Sequence, residues 1–447
     1  MRKIFVLIFI FTLSVGYLSA QEVYDLTKSV NTALQNSTAV STFQNNITLQ
    51  KFNVKSSYGD LIPTLNFSGQ WSRNNTDSKG GTIYQNGIPI AIPDNNTTAD
   101  NFSLGLNSSM TLFNGLANYE SIDLQKKSLA SLYTDLEKTR YDIIMSVYQR
   151  FFDVIKKDKI VETNNNNLLT SIDQLNKIKE YVNVGKKTKS DVYKQDVQVG
   201  QNELTVVTSK NDFEKSKVDF LTTLNDDVTK SITIDYGKMA FPLTLEELRT
   251  VIQKNSNFEG LVQNALKTRY DYSSAKQNIE INETKLSIAK KNLYFPNLSA
   301  FGTYNWSSNN LNSMDKNKVL SYGLTLSYPI LQGFKTDLNR QAAEVNIKQK
   351  QEDIAKLEKQ IRSDLKKSIY DLESAYKQIE ILDRNIISAE QDKILSEENF
   401  RIGYGTLLDV QVATTNLNNL YINRINALYN FVLSQKQIEY LSGQLKY

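Results

Sequence analysis

The chain has 447 residues, 40% of them apolar, with 52 basic and 48 acidic side chains, a net charge of +4, and neither cysteine nor histidine. That composition is ample for packed cores but excludes disulfides, thiolate chemistry, a lipidated N-terminal cysteine, the usual zinc ligand sets and histidine-based triads. The near balance of charge points to neither nucleic acid nor an acidic substrate.

Residues 1–20 open on Met1, Arg2 and Lys3, continue through an apolar run and end on Ser19 and Ala20. A basic start, a short apolar centre and small final residues predict a secretory signal cleaved near Ala20. The alternative is an uncleaved anchor, for which the run is short. No later run reaches the ~18 apolar residues of a membrane helix, so any bilayer this chain crosses must be crossed by strands.

From Val23 to about Leu61 the pattern is helical, and Pro63 closes it. A strand is predicted over about 63–75, where Leu65, Phe67, Gly69 and Trp71 alternate with Asn66, Ser68, Gln70 and Ser72. The polar segment that follows, to about Asn101, reads as an exposed hairpin loop too polar to pack. A second strand is predicted over about 101–113, with Phe102, Leu104, Leu106, Met110 and Leu112 facing one way. The stretch from Gly115 to Gly185 has no proline and no internal glycine, which predicts one helix of about 105 Å at ~1.5 Å per residue. Its many charges exclude a membrane span. A turn at 182–192 and a helix over about 189–224 follow. Residues 226–243 lose the periodicity and suggest a short strand and connector, then a small helix over 244–256.

The second half repeats the first. A helix over about 265–293 closes at Pro296, strands are predicted over about 296–308 and 319–331, and Gly333 to Gly403 matches Gly115 to Gly185 in length to the residue. The turn at 400–410 matches that at 182–192, and the only tryptophans, Trp71 and Trp306, fall at matching places in the first strand of each pair. The predicted organisation is a signal (1–20), a first repeat (21–225), a connector (226–264) and a second repeat (265–447). Each repeat reads helix, strand, strand, long helix, turn, helix. The two shorter helices of each half add up to the long one if stacked end to end. In the last helix Leu417, Leu420, Ala427, Phe431, Ile438, Leu441 and Leu445 form one heptad seam, and Tyr421, Ile425, Leu428 and Val432 a second beside it. Two seams suit a helix flanked on both sides; a wide core stripe in an ordinary bundle is the alternative.

The four strands are about as long as a tilted membrane strand. Their apolar faces carry aromatics near the ends, Trp71 and Trp306 among them, and their other faces are Ser, Thr, Asn and Gly. The fold class is therefore mainly α with a transmembrane β-barrel part. Four strands cannot close a barrel and open edges cannot stand in lipid, so chains must pool strands: eight from two chains, twelve from three.

Gly185, Thr188, Asp191 and Val192 recur as Gly403, Thr406, Asp409 and Val410. With the stretch 402–445 and the junctions Leu61-x-Pro63-x-Leu65 and 295–298, they make the whole mature chain resemble the TolC-like outer-membrane efflux protein family. The resemblance implies a homotrimer with a 12-stranded barrel in the outer membrane, continued by an α-helical barrel through the periplasm. It would be the exit duct of a tripartite efflux or type I secretion system, taking substrates from an inner-membrane pump through a periplasmic adaptor. No cofactor and no enzymatic activity are implied. The class-level alternative is an envelope coiled-coil structural protein without channel activity, which leaves the paired amphipathic strands unexplained.

By resemblance the two turns are the periplasmic tips, where Gly185, Thr188, Val192, Gly403, Thr406 and Val410 belong to the adaptor-docking turns and Asp191 and Asp409 to an acidic ring at the gate. Helix capping alone also accounts for these residue types. The chain departs from the family at Ile402, where valine is frequent, at Gly405, where some members carry an arginine lock, and at Val412 in place of a second acid. Phe400 and Lys187 supply an aromatic and a cation nearby. Lys189 and Leu407 are expected on the outer surface of the tips.

Overall fold

The computed structural model of the chain describes residues 22–237, 244–314 and 316–446. The predicted signal over 1–20 and part of the predicted connector lie outside the described residues. In chain order, strand β1 (Glu22–Tyr24) leads into α1 (Leu26–Asn36) and α2 (Thr38–Gly59). Strands β2 (Thr64–Ser78), β3 (Gly81–Gln85), β4 (Ile88–Ile92) and β5 (Asn95–Phe113) follow, then the long α3 (Ala117–Asn183) and α4 (Lys189–Leu224). The second half comprises β6 (Ile232–Ile234), α5 (Leu245–Lys254), α6 (Phe258–Thr268), α7 (Tyr270–Tyr294), β7 (Asn297–Ser308), β8 (Lys318–Ser327), the long α8 (Lys335–Ile402) and α9 (Leu407–Leu441).

The long helices α3 and α8 run unbroken for 67 and 68 residues, as sequences free of internal proline and glycine dictate. Both start from the same strained turn. Gly115 and Leu116 have φ of 68° and 66°, and their counterparts Gly333 and Phe334 have 55° and 66°. Two non-glycine residues held in the left-handed region at equivalent places are a structural signature of the duplication.

Several boundaries differ from the sequence expectation. The helix expected from Val23 opens instead as β1, paired in parallel with β6 from Glu22–Ile232 to Tyr24–Ile234. It then breaks at Ser37, where the backbone is extended, and its counterpart breaks at Arg269 in the same way. The cause is tertiary. Asn225, the left-handed cap of α4, donates from Nδ2 to the Asn36 carbonyl at 2.7 Å. In the second half Asn264 Nδ2 donates to the Ser442 carbonyl at 2.7 Å and Arg269 Nη1 to that of Leu441 at 3.0 Å. Each break thus receives the end of the helix that returns from the tip. Gly443 (φ 71°) lies so close to Thr268 that a Cβ would stand 2.2 Å from its Oγ1, which only glycine avoids. The strand expected to reach 331 ends at Ser327, short of Pro329, which has no N–H for a ladder.

The chain divides into two compact units that cut across the repeats. The first draws on Met1–Ser41, Glu137–Arg269 and Glu358–Tyr447. Its core gathers Tyr24, Phe151, Phe152, Phe220, Ile232 and Tyr429, all buried. Tyr24 sets its ring edge-on to Phe220 and donates its hydroxyl to Asp226 at 2.6 Å. In α9 the first seam buries Leu417, Ala427, Phe431, Ile438 and Leu441, and the second buries Leu428 and Val432. The flanking helices are α3, where Asp142 accepts from the Tyr440 hydroxyl at 2.6 Å, and α8, where Asp383 accepts from Arg424 and Glu390 from Tyr421, both at 2.5 Å.

The second unit, Thr42–Leu136 with Tyr270–Leu357, carries the sheet. There α3 is bonded on one side to α2, through Gln50 and Gln125, and on the other to α7, through Lys127–Thr284 and Glu120–Lys291. The sheet order is β2-β5-β7-β8, antiparallel throughout. The register places Leu65, Phe67, Trp71, Phe102, Leu104, Leu106, Met110, Tyr304, Trp306, Leu320, Tyr322, Leu324 and Leu326 on one face. Asn66, Ser68, Gln70, Ser103, Asn107, Thr303, Asn305, Ser321 and Thr325 lie on the other. A bulge between Thr111 and Phe113 brings Phe113 opposite Leu298. The apolar face is bare: Phe67 is 68% exposed, Tyr322 81% and Leu324 66%. The outer edges of β2 and β8 have no partner among the described residues. A bare apolar face of this extent with two open edges suits hydrocarbon outside and neighbouring strands at each edge.

This assignment of faces is testable by a pair of arginines on neighbouring positions. Leu324→Arg should destabilise the protein folded into lipid vesicles by about 2–4 kcal/mol, whereas Thr325→Arg on the polar face should cost far less. Urea unfolding of the two variants in vesicles measures the difference.

Candidate functional site

The two turns that join α3 to α4 and α8 to α9 are built alike, atom by atom. At the first, the Lys186 N–H donates to the Tyr181 carbonyl (2.8 Å) and the Gly185 N–H to that of Val182 (3.0 Å); at the second, Tyr404 donates to Asn399 (2.8 Å) and Gly403 to Phe400 (3.3 Å). These paired bonds close each helix through a left-handed glycine, with φ of 76° at Gly185 and 88° at Gly403. Thr188 and Thr406 then open the next helix with complete capping boxes. Asp191 Oδ2 accepts from the Thr188 N–H at 3.1 Å and hydroxyl at 2.8 Å, and Asp409 Oδ2 accepts from those of Thr406 at 2.8 and 2.7 Å. The backbone N–H of Thr406, then its hydroxyl, holds the Asp409 carboxyl below its ordinary range. Both aspartates therefore serve as caps, and their Oδ1 atoms have no hydrogen-bond partner among the described residues.

Beneath the turns, Ile178, Phe400, Leu407 and Val410 form a small buried core with Val182 and Val192 packed on it. The structure thus brings the two turns together at one end of the first unit. Gly185, Thr188, Gly403, Thr406 and Asp409 are exposed, Asp191 and Val192 half-buried, and Val410 fully buried. The expectation that Leu407 lies on the outer surface is corrected: it is 3% exposed, because its apolar side chain joins Ile178, Phe400 and Val410 in this core, and its neighbour Leu408 points outward. Lys189 is exposed as expected. Lys187 Nζ sits 3.8 Å from the centre of the Phe400 ring, so the cation and aromatic noted in the sequence do meet and tie one turn to the other. Sequence reasoning missed the apolar side chains the turns hold out to solvent, above all Tyr404, 91% exposed, with Ile402, Leu408, Val184 and Tyr193. Their signal was an aromatic inside a turn that capping alone does not require.

Above this core the packing becomes polar. Gln195, Asn202, Ser209 and Ser216 recur at every seventh residue of α4, all buried, alternating with Val199, Val206 and Phe220. Gln195 donates to the Ser171 carbonyl at 3.0 Å and accepts from Gln411 at 3.1 Å, which joins α3, α4 and α9. A small cavity of about 20 Å³ opens beside them, lined by Asn167, Gln174, Gln198, Glu397 and Thr414. On the same helix α3, Asn164 Oδ1 is buried with no hydrogen-bond partner among the described residues. Tyr421 borders a second hollow with Thr163 and Lys393, and burial, then its bond to Glu390, pushes its hydroxyl up to about 12.

Trp71 and Trp306 lie far along the chain from these turns, on the apolar face of the sheet. Trp71 pairs with Phe102 and Trp306 with Leu104, neighbouring same-face positions of β5. Trp71 also donates from Nε1 to Asp100 at 3.2 Å, and Asp100 takes the Arg73 guanidinium in a bidentate pair at 2.8 Å. An indole with its ring on the apolar face and its N–H on an ion pair has the amphipathic placement that suits a boundary between hydrocarbon and water.

The sequence pattern of the outer membrane efflux protein family matches residues 29–224 and 261–444. Outer membrane protein TolC of Vibrio cholerae is 21% identical over 398 residues, which cover 88% of this chain and 84% of that protein. Among solved structures, CusC aligns with a TM-score of 0.77 at 13% identity, over 94% of this chain and 92% of CusC. The outer membrane protein VceC of V. cholerae aligns at 0.72 and 16%, over 94% and 96%.

The turn chemistry makes a graded prediction. Thr188→Ala and Thr406→Ala should each weaken the local opening stability of the tip by about 1 kcal/mol, read by hydrogen exchange at the amides of residues 191 and 409, while Asp409→Asn should cost less, because an amide oxygen at the third helical position still accepts from Thr406 but gives up the charge. The sign with pH follows from the lowered Asp409 value: its contribution is fully present above the ordinary aspartate range and disappears as pH falls through the depressed one.

Proposed function

The chain belongs to the outer membrane efflux protein family, and on that premise we propose that three copies assemble into one exit duct. Twelve pooled strands close the barrel, and the long helices of three chains continue it as an α-helical barrel toward the periplasm. The protein is an outer-membrane channel for efflux, in a family of transport ducts rather than enzymes. The observation that carries the trimer is the four-stranded sheet with a bare apolar face and two unpaired edges, which has no stable place in a bilayer until other copies satisfy both edges. Twelve strands from three chains agree with the family's pattern better than eight from two.

The paired turns are the periplasmic end of the duct, since α3 and α8 lead there directly from the ends of the strand pairs. Exposed Tyr404, Leu408 and Ile402 offer apolar anchors, with exposed Lys189 on the other turn, for a periplasmic adaptor that hands over substrates from an inner-membrane pump. Bulk on the outward surface should obstruct docking without touching the small core. Lys189→Trp and Leu408→Trp are expected to abolish export while the trimer survives in native mass spectrometry. Normal export in both would argue against docking at this surface, and a dimer or a lipid-free folded monomer would argue against the trimer.

Around a three-fold axis, Asp191 and Asp409 supply up to six carboxylates at the entrance. Each is held by its cap through one oxygen and keeps the other for ions. Clustered like charges attract cations, so the channel should be cation-selective and blocked by di- and trivalent cations. The double variant Asp191→Asn, Asp409→Asn keeps both caps and removes the charge. Loss of selectivity and of block in planar bilayers is expected; unchanged selectivity would leave the aspartates as caps only.

A further inference from the structure

The loop between β2 and β5 contains a device that the duct alone does not explain. The two strands stay paired well past Trp71 as a polar stalk, from Ser72–Asn101 out to Ser78–Asn95, with the Arg73–Asp100 ion pair at its base. Beyond the stalk lies a separate two-stranded sheet, β3 with β4, closed by Asn86 and Gly87 at φ of 52° and 80°. Its register puts Ile83, Ile88, Ile90 and Ile92 on one face. They are 41–65% exposed, and the twelve residues Gly81–Ile92 carry no charge. The neck is fixed: the Gly80 N–H donates to Asp94 Oδ1 at 2.6 Å, and a Cβ on Gly80 would stand 2.1 Å from the Ile92 carbonyl oxygen.

An isolated two-stranded hairpin is marginal in water, and one with a face of four bare isoleucines needs a cover. Bilayer tails are too far away. The stalk runs roughly 20 Å along the strands past Trp71, which at ~45° of tilt leaves the hairpin roughly 15 Å above the interface. Anionic headgroups call for cations, and the hairpin has none. Copies of itself fit: without charge they do not repel. Resting on the three-chain reading, twelve strands about 4.8 Å apart and tilted ~40° give a wall of radius roughly 12 Å, whereas a five-residue hairpin reaches about 17 Å. Three hairpins on one rim are therefore long enough to meet at the axis when they fold inward.

We infer that the Gly81–Ile92 hairpin docks on the two other copies of itself, so that Ile83, Ile88, Ile90 and Ile92 from three chains form an apolar cap over the outer mouth of the duct. The cap is a second constriction besides the one proposed at the helical tips, and it opens by parting three hairpins on their stalks.

The chain has no cysteine, so single thiols report cleanly. The full-length Ile90→Cys protein in lipid nanodiscs, oxidised with copper phenanthroline, should shift on a denaturing gel from monomer to disulfide-linked dimer. Thr76→Cys on the stalk, whose copies would lie on the rim, should stay monomeric because a disulfide needs Cα atoms within about 7 Å. Adding Ile83→Asp and Ile88→Asp to Ile90→Cys should abolish the dimer by placing like charges together. Native mass spectrometry of the same unoxidised samples reports the assembly separately. A trimer with no Ile90→Cys dimer, or with equal linkage at Thr76→Cys, overturns the cap and leaves the duct standing; absence of the trimer overturns both.

Discussion

Every feature of this chain follows from one constraint: in hydrocarbon, a backbone N–H or C=O without a partner costs several kcal/mol. A sheet of four strands with an apolar face can meet that constraint only by lending its edges to other sheets. Once copies must share a wall, everything attached to the strands is drawn into the same symmetry. In the three-copy duct proposed above, the helices that leave the strand ends would serve as staves. A single-chain barrel would have needed more strands; this chain instead spends its length on two helices of 67 and 68 residues.

The duplication gives the tips a common frame and different surfaces. Glycine closure, threonine cap and aspartate box recur at both turns with nearly the same distances, so the backbone there is equally rigid in each. What the frames display has diverged. The first turn presents Lys186 and Lys189, the second Tyr404 and Leu408, and the Lys187–Phe400 contact joins them. Just above, a polar residue at every seventh position of α4 sets the register of the helix pair without packing it as tightly as valine or leucine would. The tip is therefore firmly capped at its end and loosely cored behind it, a combination suited to moving as a rigid turn on a yielding stem.

Much of this was readable in the residues. Long runs without proline or glycine fixed the helices, alternation fixed the four strands and their faces, and the Gly-x-x-Thr-x-x-Asp-Val pattern fixed the turns, because each is a local rule obeyed locally. What was missed depends on partners distant in sequence. Nothing in Glu22–Tyr24 distinguishes a helix start from a strand until Ile232–Ile234 lies beside it. Ser37 and Arg269 break their helices because Asn225 and Leu441 arrive there. Leu407 looked like an outward turn residue because the four-residue core beneath it comes from two separate hairpins. The β3–β4 hairpin was legible after all: Asn86-Gly87 between alternating isoleucines is a strong hairpin signal, outweighed in a segment judged by its average polarity.

The pairing of β1 with β6 also dictates an order of events. Tyr24 must wait for Asp226, 202 residues later, and the Tyr148 hydroxyl for the Lys446 carbonyl, 298 residues later. Contacts of such separation form slowly, because loop closure precedes any return from them. A chain threaded across the inner membrane with its first residues leading arrives with α1, α2 and a bare amphipathic strand pair, while the residues that complete their core are still on the other side. The core around Tyr24, Phe220 and Ile232 is thus the last part of the first unit to become native. In that interval the apolar face of the strands stays uncovered, and the rate at which the second half is delivered sets for how long.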